Sequence, residues 1–442
     1  METGEHEMAP VSLNFNKTLD ILKNNIKARQ SLMQSYCSTR EPPLILKPTG
    51  WATLPSNILT KIFQYVDRHH LITYCTLVCK FWRRAIMCEC FITSLTIANN
   101  EASLSFVYNF LREFKTLQTL TLINVPDIEV ILMQAHKVCS NLKKISLKNY
   151  KYISYNVIAY ISRAFPKLEG LNFDSSNLHC HNISTDIVVF KNLKSLNLFN
   201  VKAMGLSTQA ILEIVLNCTQ LEELNIGLCP PLVNLQDDDV MMVITNLAAK
   251  LTSLSLDSRR LTMRSLQKLQ NCKLLRRIYI KYGVNLTGDF LSEFWTNFYS
   301  IDEFAFTHNC IISGYDVSAL FQNGVNVFID LRLLDLTYCV KVCDIGIEAI
   351  AAICRKLQKI ILKSCRSVTN ITPLFTECAE LRFIDVSYCT ALRTNFTLPK
   401  QLEVLVIDER NELMYFVEKF RTMKYLKMYL STSEFNDSLE PF

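Results

Sequence analysis

The sequence has few of the features that enzyme active sites and membrane proteins require. Glycine is scarce, with 10 residues in a chain of 442, and no glycine-rich phosphate-binding loop occurs. The motifs G-x-S-x-G and H-E-x-x-H are absent, and the 7 histidines are scattered. No apolar run is long enough for a membrane-spanning helix. We therefore expect a protein that is not an enzyme, needs no cofactor or metal, and has no membrane partner.

Positive charge is also limited. The formal net charge is +6, and no short segment is dense in Lys and Arg. Nucleic-acid-binding domains usually carry such a segment or a much larger positive charge, so we expect no nucleic acid partner. The N-terminus is acidic and polar, and it lacks the basic start and apolar centre of a secretory signal. We therefore expect a cytoplasmic or nuclear protein, or one present in both compartments.

An apolar pattern, L-x-x-L-x-L, recurs from residue 92 onward, with Ile, Phe, Val or Met as substitutes. Good copies are LKSLNL at 193–198 and LRLLDL at 331–336. In the first of these, strand alternation places Leu196 and Leu198 inward and Ser195 and Asn197 toward solvent. The units start at Ile92, Leu117, Leu142, Leu168, Leu193, Leu221, Leu251, Leu275, Ile301, Leu331, Leu357, Leu381, Leu402 and, weakly, Met423.

This spacing predicts leucine-rich repeats, each built from a short strand, a turn and a return helix. One unit cannot bury its apolar face alone, so the units must stack. We predict an α/β solenoid of about 13–14 units over residues 91–430, with a curved parallel sheet inside and helices outside. Residues 431–442 are then a C-terminal tail.

Nine of the 17 cysteines recur at two fixed positions of the repeat. Four lie eight residues after a unit start, and five lie three residues before one. They are Cys229, Cys339, Cys365, Cys389, and Cys139, Cys218, Cys272, Cys354, Cys378. Such placement indicates small buried core residues and a reducing compartment. The alternative is metal or disulfide chemistry, for which His179-Cys180-His181 is the one His/Cys cluster.

A different apolar pattern precedes the repeats, at residues 49–90. Pro55 suits the first turn of a helix, and Ile58, Leu59, Ile62 and Phe63 follow at helical spacing. So short a segment cannot bury all its large apolar groups by itself, so a partner must cover some of them. The alternative is that these helices only cap the following repeats.

This segment closely resembles an F-box, the module that docks a protein onto the adaptor of an SCF-type cullin–RING ubiquitin ligase. The resemblance implies that the matching positions bind the adaptor. They are Leu54, Pro55, Ile58, Leu59, Ile62, Phe63, Leu71, Leu77, Val78, Cys79 and Trp82. Together with the repeats, the chain resembles the family of F-box and leucine-rich-repeat proteins.

The resemblance implies a non-catalytic substrate receptor. Its partners would be the adaptor, through it a cullin and a RING subunit, and a protein substrate held by the repeats. Ubiquitin transfer itself would be performed by the RING subunit and its conjugating enzyme. Two alternatives remain open: an adaptor-bound scaffold without a degradative output, and a leucine-rich-repeat binding protein with a helical cap and no ligase role.

Residues 1–48 match neither module. Apolar residues at helical spacing between Asn16 and Gln34 suggest an amphipathic helix, and the prolines that follow suggest a linker. The helix could pack on the F-box or belong to a partly ordered tail, or it could be a separate docking element.

Outward strand positions of the later repeats form our candidate substrate surface, because aromatic and Arg side chains dominate protein interfaces. The residues are Arg277, Tyr279, Lys281, Tyr282, Tyr338, Lys359, Lys363, Phe383 and Tyr388. The alternative is an ordinary solvated sheet face. Between Arg259 and Lys281 the sequence has eight Lys or Arg and no acidic residue. This basic segment suggests a site for an acidic or phosphorylated partner, or else a solvated helix face.

Overall fold

A computed structural model describes residues 12–14, 56–63, 66, 82, 86, 93–98, 111, 116–180, 183–203, 205–289, 298–393, 397–408 and 427–431. The chain divides into two compact units. The first comprises Met1–His181 and Thr185–Leu193, and the second comprises Asn182–Ser184 and Lys194–Phe442. No helix in the part of the chain so described is long and apolar enough to cross a membrane.

The described residues of the first unit include the helix α1 (Ser56–Phe63), which precedes the repeats, and a parallel sheet. The strands are β1 (Ser12–Asn14), β2 (Ser94–Ala98), β3 (Thr119–Ile123), β4 (Lys144–Lys148), β5 (Ile153–Ser154), β6 (Gly170–Asn172) and β7 (Asn177–His179). The helices of its repeats are α2 (Ile128–Val138), α3 (Tyr155–Ala164) and α4 (Ile183–Ile187), the last divided between the units. The sheet order is β1-β2-β3-β4-β6, and β5 pairs with β7.

Strand β1 lies in the N-terminal segment, for which the sequence predicted a helix and a linker. Its backbone pairs in parallel with β2, with Ser12 opposite Thr96. A short strand of this kind carries too little periodicity to be recognised from the sequence. The predicted amphipathic helix between residues 16 and 34 lies outside the described residues.

The second unit continues the repeat pattern through the rest of the chain. Its strands are β8 (Ser195–Asn197), β9 (Lys202–Ala203), β10 (Glu223–Asn225), β11 (Ser253–Asp257), β12 (Arg277–Lys281), β13 (Glu303–Phe306), β14 (Leu333–Asp335), β15 (Lys359–Ile361), β16 (Phe383–Asp385), β17 (Val404–Asp408) and β18 (Lys427–Ser431). Its α-helices are α5 (Thr208–Asn217), α6 (Asp237–Leu247), α7 (Met263–Leu266), α8 (Gly314–Asn323), α9 (Val325–Phe328), α10 (Asp344–Ile353) and α11 (Thr372–Glu377). Two 3₁₀ helices lie at Pro230–Leu232 and Gln267–Asn271.

The parallel sheet of the second unit confirms the predicted repeat register. Apart from the short β9, strands β8 to β18 pair with their sequence neighbours, and β8 and β10 to β17 each begin two residues after a predicted unit start. Leu334 therefore lies between Phe304 and Ile360, its equivalents in the adjoining repeats. The last strand is an exception. Lys427 pairs with Val404, which moves the final unit two residues later than the weak start at 423.

The core is formed by the repeat leucines and by the inner faces of the return helices. Leu196 and Leu198 are buried and Ser195 and Asn197 are partly exposed, as strand alternation predicted. Some helices begin at a residue whose side chain caps the first turn. At the start of α8, the Ser313 hydroxyl accepts a hydrogen bond from the backbone N–H of Asp316. Helices α8, α10 and α11, which belong to successive repeats, then pack side by side.

The nine repeat cysteines are all free and buried. In four units the thiol eight residues after the unit start donates to a backbone carbonyl of the preceding repeat. For Cys339 and Cys365 the acceptors are the carbonyls of Phe306 and Leu336, each 3.1 Å away. Burial raises the pKa of Cys339 to about 12, so the thiol stays protonated and inert. These cysteines act as core residues that also bridge adjoining repeats, as the sequence predicted.

Candidate functional site

Helix α1 separates its apolar residues into a buried and an accessible set. Leu59 and Phe63, one turn apart, are fully buried. Ile58 is 43% exposed and Ile62 is partly exposed, so this second pair is accessible to a partner. The predicted adaptor residues Leu54, Pro55, Leu71, Leu77, Val78 and Cys79 lie outside the described residues.

The ring of Trp82 anchors the end of this helix. Its centroid lies 5.1 Å from that of Phe63, with an edge-to-face angle of 75°. Such pairs add roughly 0.5–1.5 kcal/mol beyond simple burial. Trp82 is only partly buried, whereas Ile86 is fully buried. Among the described residues of this segment, Leu59, Phe63 and Ile86 are buried, while Ile58, Ile62 and part of Trp82 stay accessible.

A recurring turn ends the strands of the repeats. Four residues after the unit start, an Asn or Asp side chain accepts the amide two residues further on, as in Asn197 to Phe199 (2.8 Å) and Asp335 to Thr337 (2.9 Å). Seven residues after the unit start, the backbone has a positive φ in ten repeats. The residues there are Asn124, Asn149, Ser175, Asn200, Leu228, Tyr282, His308, Tyr338, Ser364 and Tyr388. The early repeats use mainly Asn and Ser here, whereas four of the last five use an aromatic ring.

Three of these aromatic residues stack on one another along the sheet edge. The ring centroids of Tyr282 and His308 are 4.2 Å apart, and those of His308 and Tyr338 are 5.0 Å apart with an angle of 10°. The guanidinium of Arg259 lies 4.7 Å from the Tyr282 ring. All four side chains are partly exposed. Tyr282 and Tyr338 were predicted site residues. His308 was missed, although alignment of the repeats by their unit starts would have found it.

On the strand face opposite the helices, charged side chains of separate repeats pair with one another. Arg277 lies 2.5 Å from a carboxylate oxygen of Glu223, and the Lys281 ammonium lies 3.1 Å from Asp335. The Tyr279 hydroxyl donates to Glu303, and burial raises the pKa of this tyrosine. Tyr279, a predicted site residue, is buried, so its ring offers little free surface to a partner.

Further along the same face, the predicted residues Lys359, Lys363 and Tyr388 are also buried, each less than 10% exposed. In-register parallel pairing brings equivalent side chains to about 4.8 Å from one another, so long lysine chains pack on neighbouring rings. The Lys359 ammonium lies 4.7 Å from the Phe383 ring, and Lys363 lies 5.8 Å from Tyr388. Phe383 remains partly exposed. Lys359, Lys363 and Tyr388 therefore offer little free surface to a partner, and their substrate-binding role stays a prediction.

The pKa values of two equivalent aspartates of this face are shifted in opposite directions. Burial would raise the pKa of Asp335, but the charge of Lys281 and the hydrogen bonds from Thr337 and Lys281 lower it overall. Burial raises the pKa of Asp385, and the hydrogen bonds from Ser387 offset this only in part. Both aspartates end a strand with the same turn and have a lysine that lowers the pKa, but Lys281 also donates a hydrogen bond to Asp335, whereas Lys363 acts on Asp385 through its charge.

Half of the cations of the basic segment 259–281 pair with acidic residues that lie outside it. Four of its eight cations have carboxylate partners: Arg259 with Asp257, Arg264 with Asp238, Arg277 with Glu223, and Lys281 with Asp335. Such partners are not visible in a local charge count. As a whole, the segment is therefore a weaker candidate for binding phosphate than its sequence suggested.

Comparison with known proteins supports both parts of the chain. Residues 51–97 match the F-box-like family model. A chain of the yeast Rad7–Elc1 complex is similar in structure, with a TM-score of 0.56, 14% identity, and coverage of 95% of this chain and 98% of that one. A chain of the TLR13–ssRNA13 complex aligns with a TM-score of 0.39 and 17% identity, over 77% of this chain and 51% of that one.

The first of these similarities, at so low an identity, concerns the fold alone, and it agrees with the repeat architecture described above. The family match and the helix with accessible Ile58 concern the segment before the repeats. The chain thus combines an F-box-like domain with a leucine-rich-repeat fold.

Proposed function

We propose that this chain is the substrate-recognition subunit of an SCF-type ubiquitin ligase. The F-box-like domain docks onto the ligase adaptor, and the repeats hold the protein to be ubiquitinated. The chain itself contributes proximity rather than chemistry, because holding two reactants together can replace a large part of the entropic barrier. The RING subunit and its conjugating enzyme supply the transfer reaction.

The observation that carries this proposal is the split of apolar residues in α1. A helix that served only to cap the repeats would turn its large apolar groups inward. Ile58 instead has 43% of its surface exposed, within a segment that matches the F-box-like family model. An exposed aliphatic group one turn from Ile62 provides the kind of contact that a partner protein buries. The similar yeast Rad7–Elc1 structure adds a precedent for this fold in a two-protein complex.

The direct test is co-expression of the full chain with the adaptor, followed by size-exclusion chromatography. Ile58→Asp places a charge at an exposed position, so the chain should still fold but lose the adaptor. Ile345→Asp is the matched control, since Ile345 is 36% exposed in the first turn of α10, where an acidic residue suits the helix. A Leu54→Ala, Pro55→Ala double variant tests the residues that the resemblance adds.

Co-elution of wild type and Ile345→Asp, lost in Ile58→Asp, supports the ligase role. An Elc1-type partner belongs in the same experiment as a second candidate adaptor. If neither protein co-elutes with a folded wild-type chain, the helical segment is only a cap on the repeats. If the adaptor binds but cullin inhibition leaves the levels of every bound partner unchanged, the chain is a scaffold without a degradative output.

A further inference from the structure

The six loops that follow strands β11 to β16 form one edge of the sheet, which we call the loop edge. These loops span residues 258–262, 282–286, 308–312, 338–342, 364–368 and 388–392. All belong to the second unit, and parallel pairing sets them side by side. At about 4.8 Å per strand, the loop edge is roughly 24 Å long. This length matches about seven residues of an extended peptide.

The middle of the loop edge is aromatic and aliphatic. It contains the stacked rings of Tyr282, His308 and Tyr338. Beside the rings, Val284 is 39% exposed and Ile311 is 48% exposed. Rings and aliphatic groups that stay accessible in adjoining repeats give a continuous apolar strip rather than isolated surface residues.

The backbone conformation of these turns does not explain why aromatic residues stand there. Tyr282 and Tyr338 have φ values of 55° and 61°, a region that bulky residues rarely adopt. Three earlier repeats place Asn at the same position, and Asn adopts this conformation readily. The later repeats therefore keep aromatic side chains where the turn alone would favour Asn, which points to a role for the ring surface.

The charges of the loop edge are of one sign. The six loops contain Arg259, Arg260, Lys341 and Arg366 and no Asp or Glu. Arg259 pairs with Asp257 at the end of β11, but Arg260 and Lys341 are exposed and take part in no ion pair among the described residues. Arg260 and Lys341 lie three strands apart, or about 14 Å, so they flank the aromatic strip.

From this arrangement we propose that the loop edge is the docking site for an acidic peptide segment of the substrate. The segment would have aromatic or aliphatic side chains between two acidic residues about four positions apart, because an extended chain covers about 14 Å in that distance. The rings supply the contact area, and the flanking cations fix register and direction. Nucleic acid fits less well, because four cations in two groups do not form a continuous basic track. The proposal rests on the proposed function, since it names the class of substrate.

The test is selection from a displayed library of random peptides of about twelve residues, longer than the loop edge needs. The full chain in complex with its adaptor is the bait. The Tyr282→Asn, Tyr338→Asn double variant removes two rings but installs the residue that earlier repeats use, so it should fold. Arg260→Glu, Lys341→Glu reverses the flanking charges. Lys268→Glu, which changes an exposed residue of the 3₁₀ helix Gln267–Asn271, is the matched charge control.

We expect wild type and Lys268→Glu to enrich peptides with paired acidic residues around an aromatic or aliphatic one. In fluorescence polarisation the double Asn variant should bind the best peptide about tenfold more weakly. The charge-reversal variant should prefer basic peptides. The proposal is wrong if the library yields no acidic consensus, if the double Asn variant binds as well as wild type, or if a single-stranded oligonucleotide displaces the peptide. The bait must form a complex with the adaptor before the selection begins. Failure of the proposed function would therefore be seen at that earlier step, and the outcomes above concern the loop edge alone.

Discussion

Replacing Asp335 and Asp385 in turn by Asn tests how charge is stabilised on the strand face of the repeats. The Asp335 carboxylate lies 3.1 Å from the Lys281 ammonium, and the two side chains are 11% and 16% exposed. Removing one partner of a buried pair leaves the other charge uncompensated, at a cost of 3–5 kcal/mol when burial is complete. With some residual exposure, we expect Asp335→Asn to lower the free energy of unfolding by roughly 2–4 kcal/mol.

Asp385→Asn is the matched control, with the opposite expectation. Its turn is the same, and three earlier repeats already use Asn at this position: Asn172, Asn197 and Asn225. Because burial raises the pKa of Asp385 in the folded state, its ionisation destabilises the protein. Asn resembles the neutral acid, so the free energy of unfolding should stay unchanged or rise by up to about 1 kcal/mol.

The pH dependence of the two variants should differ in sign. The lowered pKa of Asp335 means that its stabilisation is present above the unfolded pKa and is lost as pH falls through the folded pKa. The raised pKa of Asp385 means that its stabilisation is present below the unfolded pKa and is lost as pH rises through the folded pKa. Urea unfolding followed by circular dichroism, at about pH 7.5 and about pH 3, which lies below the unfolded pKa of an aspartate, measures both. Equal losses in the two variants at the higher pH would refute the reasoning.

Three further predictions concern the core. Phe304→Ala should lower the free energy of unfolding in urea by about 3–5 kcal/mol, because the Phe304 ring is buried and its centroid lies 5.9 Å from that of Phe328. A loss below about 1 kcal/mol would contradict this packing. Gly314→Ala should lower the melting temperature clearly more than Gly346→Ala, because a Cβ at 314 would clash with Sγ of Cys343 and lie 3.0 Å from its backbone nitrogen, whereas the nearest atoms to a Cβ at 346 are carbons of Val317 at 3.2 Å; equal effects would contradict the helix contact. In mass spectrometry after brief maleimide treatment, exposed Cys310 should be labelled and the nine repeat cysteines should not; early labelling of those nine would show that they are not core residues.

The sequence was most informative about the repeating part of the fold. The start of β12 at Arg277 follows from Leu275 by a fixed offset, because each repeat solves the same packing problem. The buried thiol of Cys365 follows from the same periodicity. Strand β1 could not be predicted, since a strand of three residues has no period of its own.

The candidate surfaces were less predictable because they depend on neighbours that are distant in sequence. Lys281 meets Asp335, 54 residues away, and together with the hydrogen bonds from Thr337 it lowers the pKa of the aspartate. Lys359 was predicted as a substrate-binding residue at an outward strand position, and the sequence did not show that it would be buried against the ring of Phe383. The stacking of His308 between two tyrosines is a property of repeats placed side by side, and no single repeat shows it.

The most direct test of the account is the affinity of the purified adaptor for the full chain, measured by calorimetry for wild type, Ile58→Asp and Ile345→Asp. The account predicts a one-to-one complex with wild type and Ile345→Asp. Ile58→Asp should show at least about a tenfold loss at unchanged melting temperature, as expected when a buried interface anchor is replaced. Equal affinity in all three proteins, or no binding to a folded wild-type chain, would contradict the central claim that α1 presents its exposed face to a ligase adaptor.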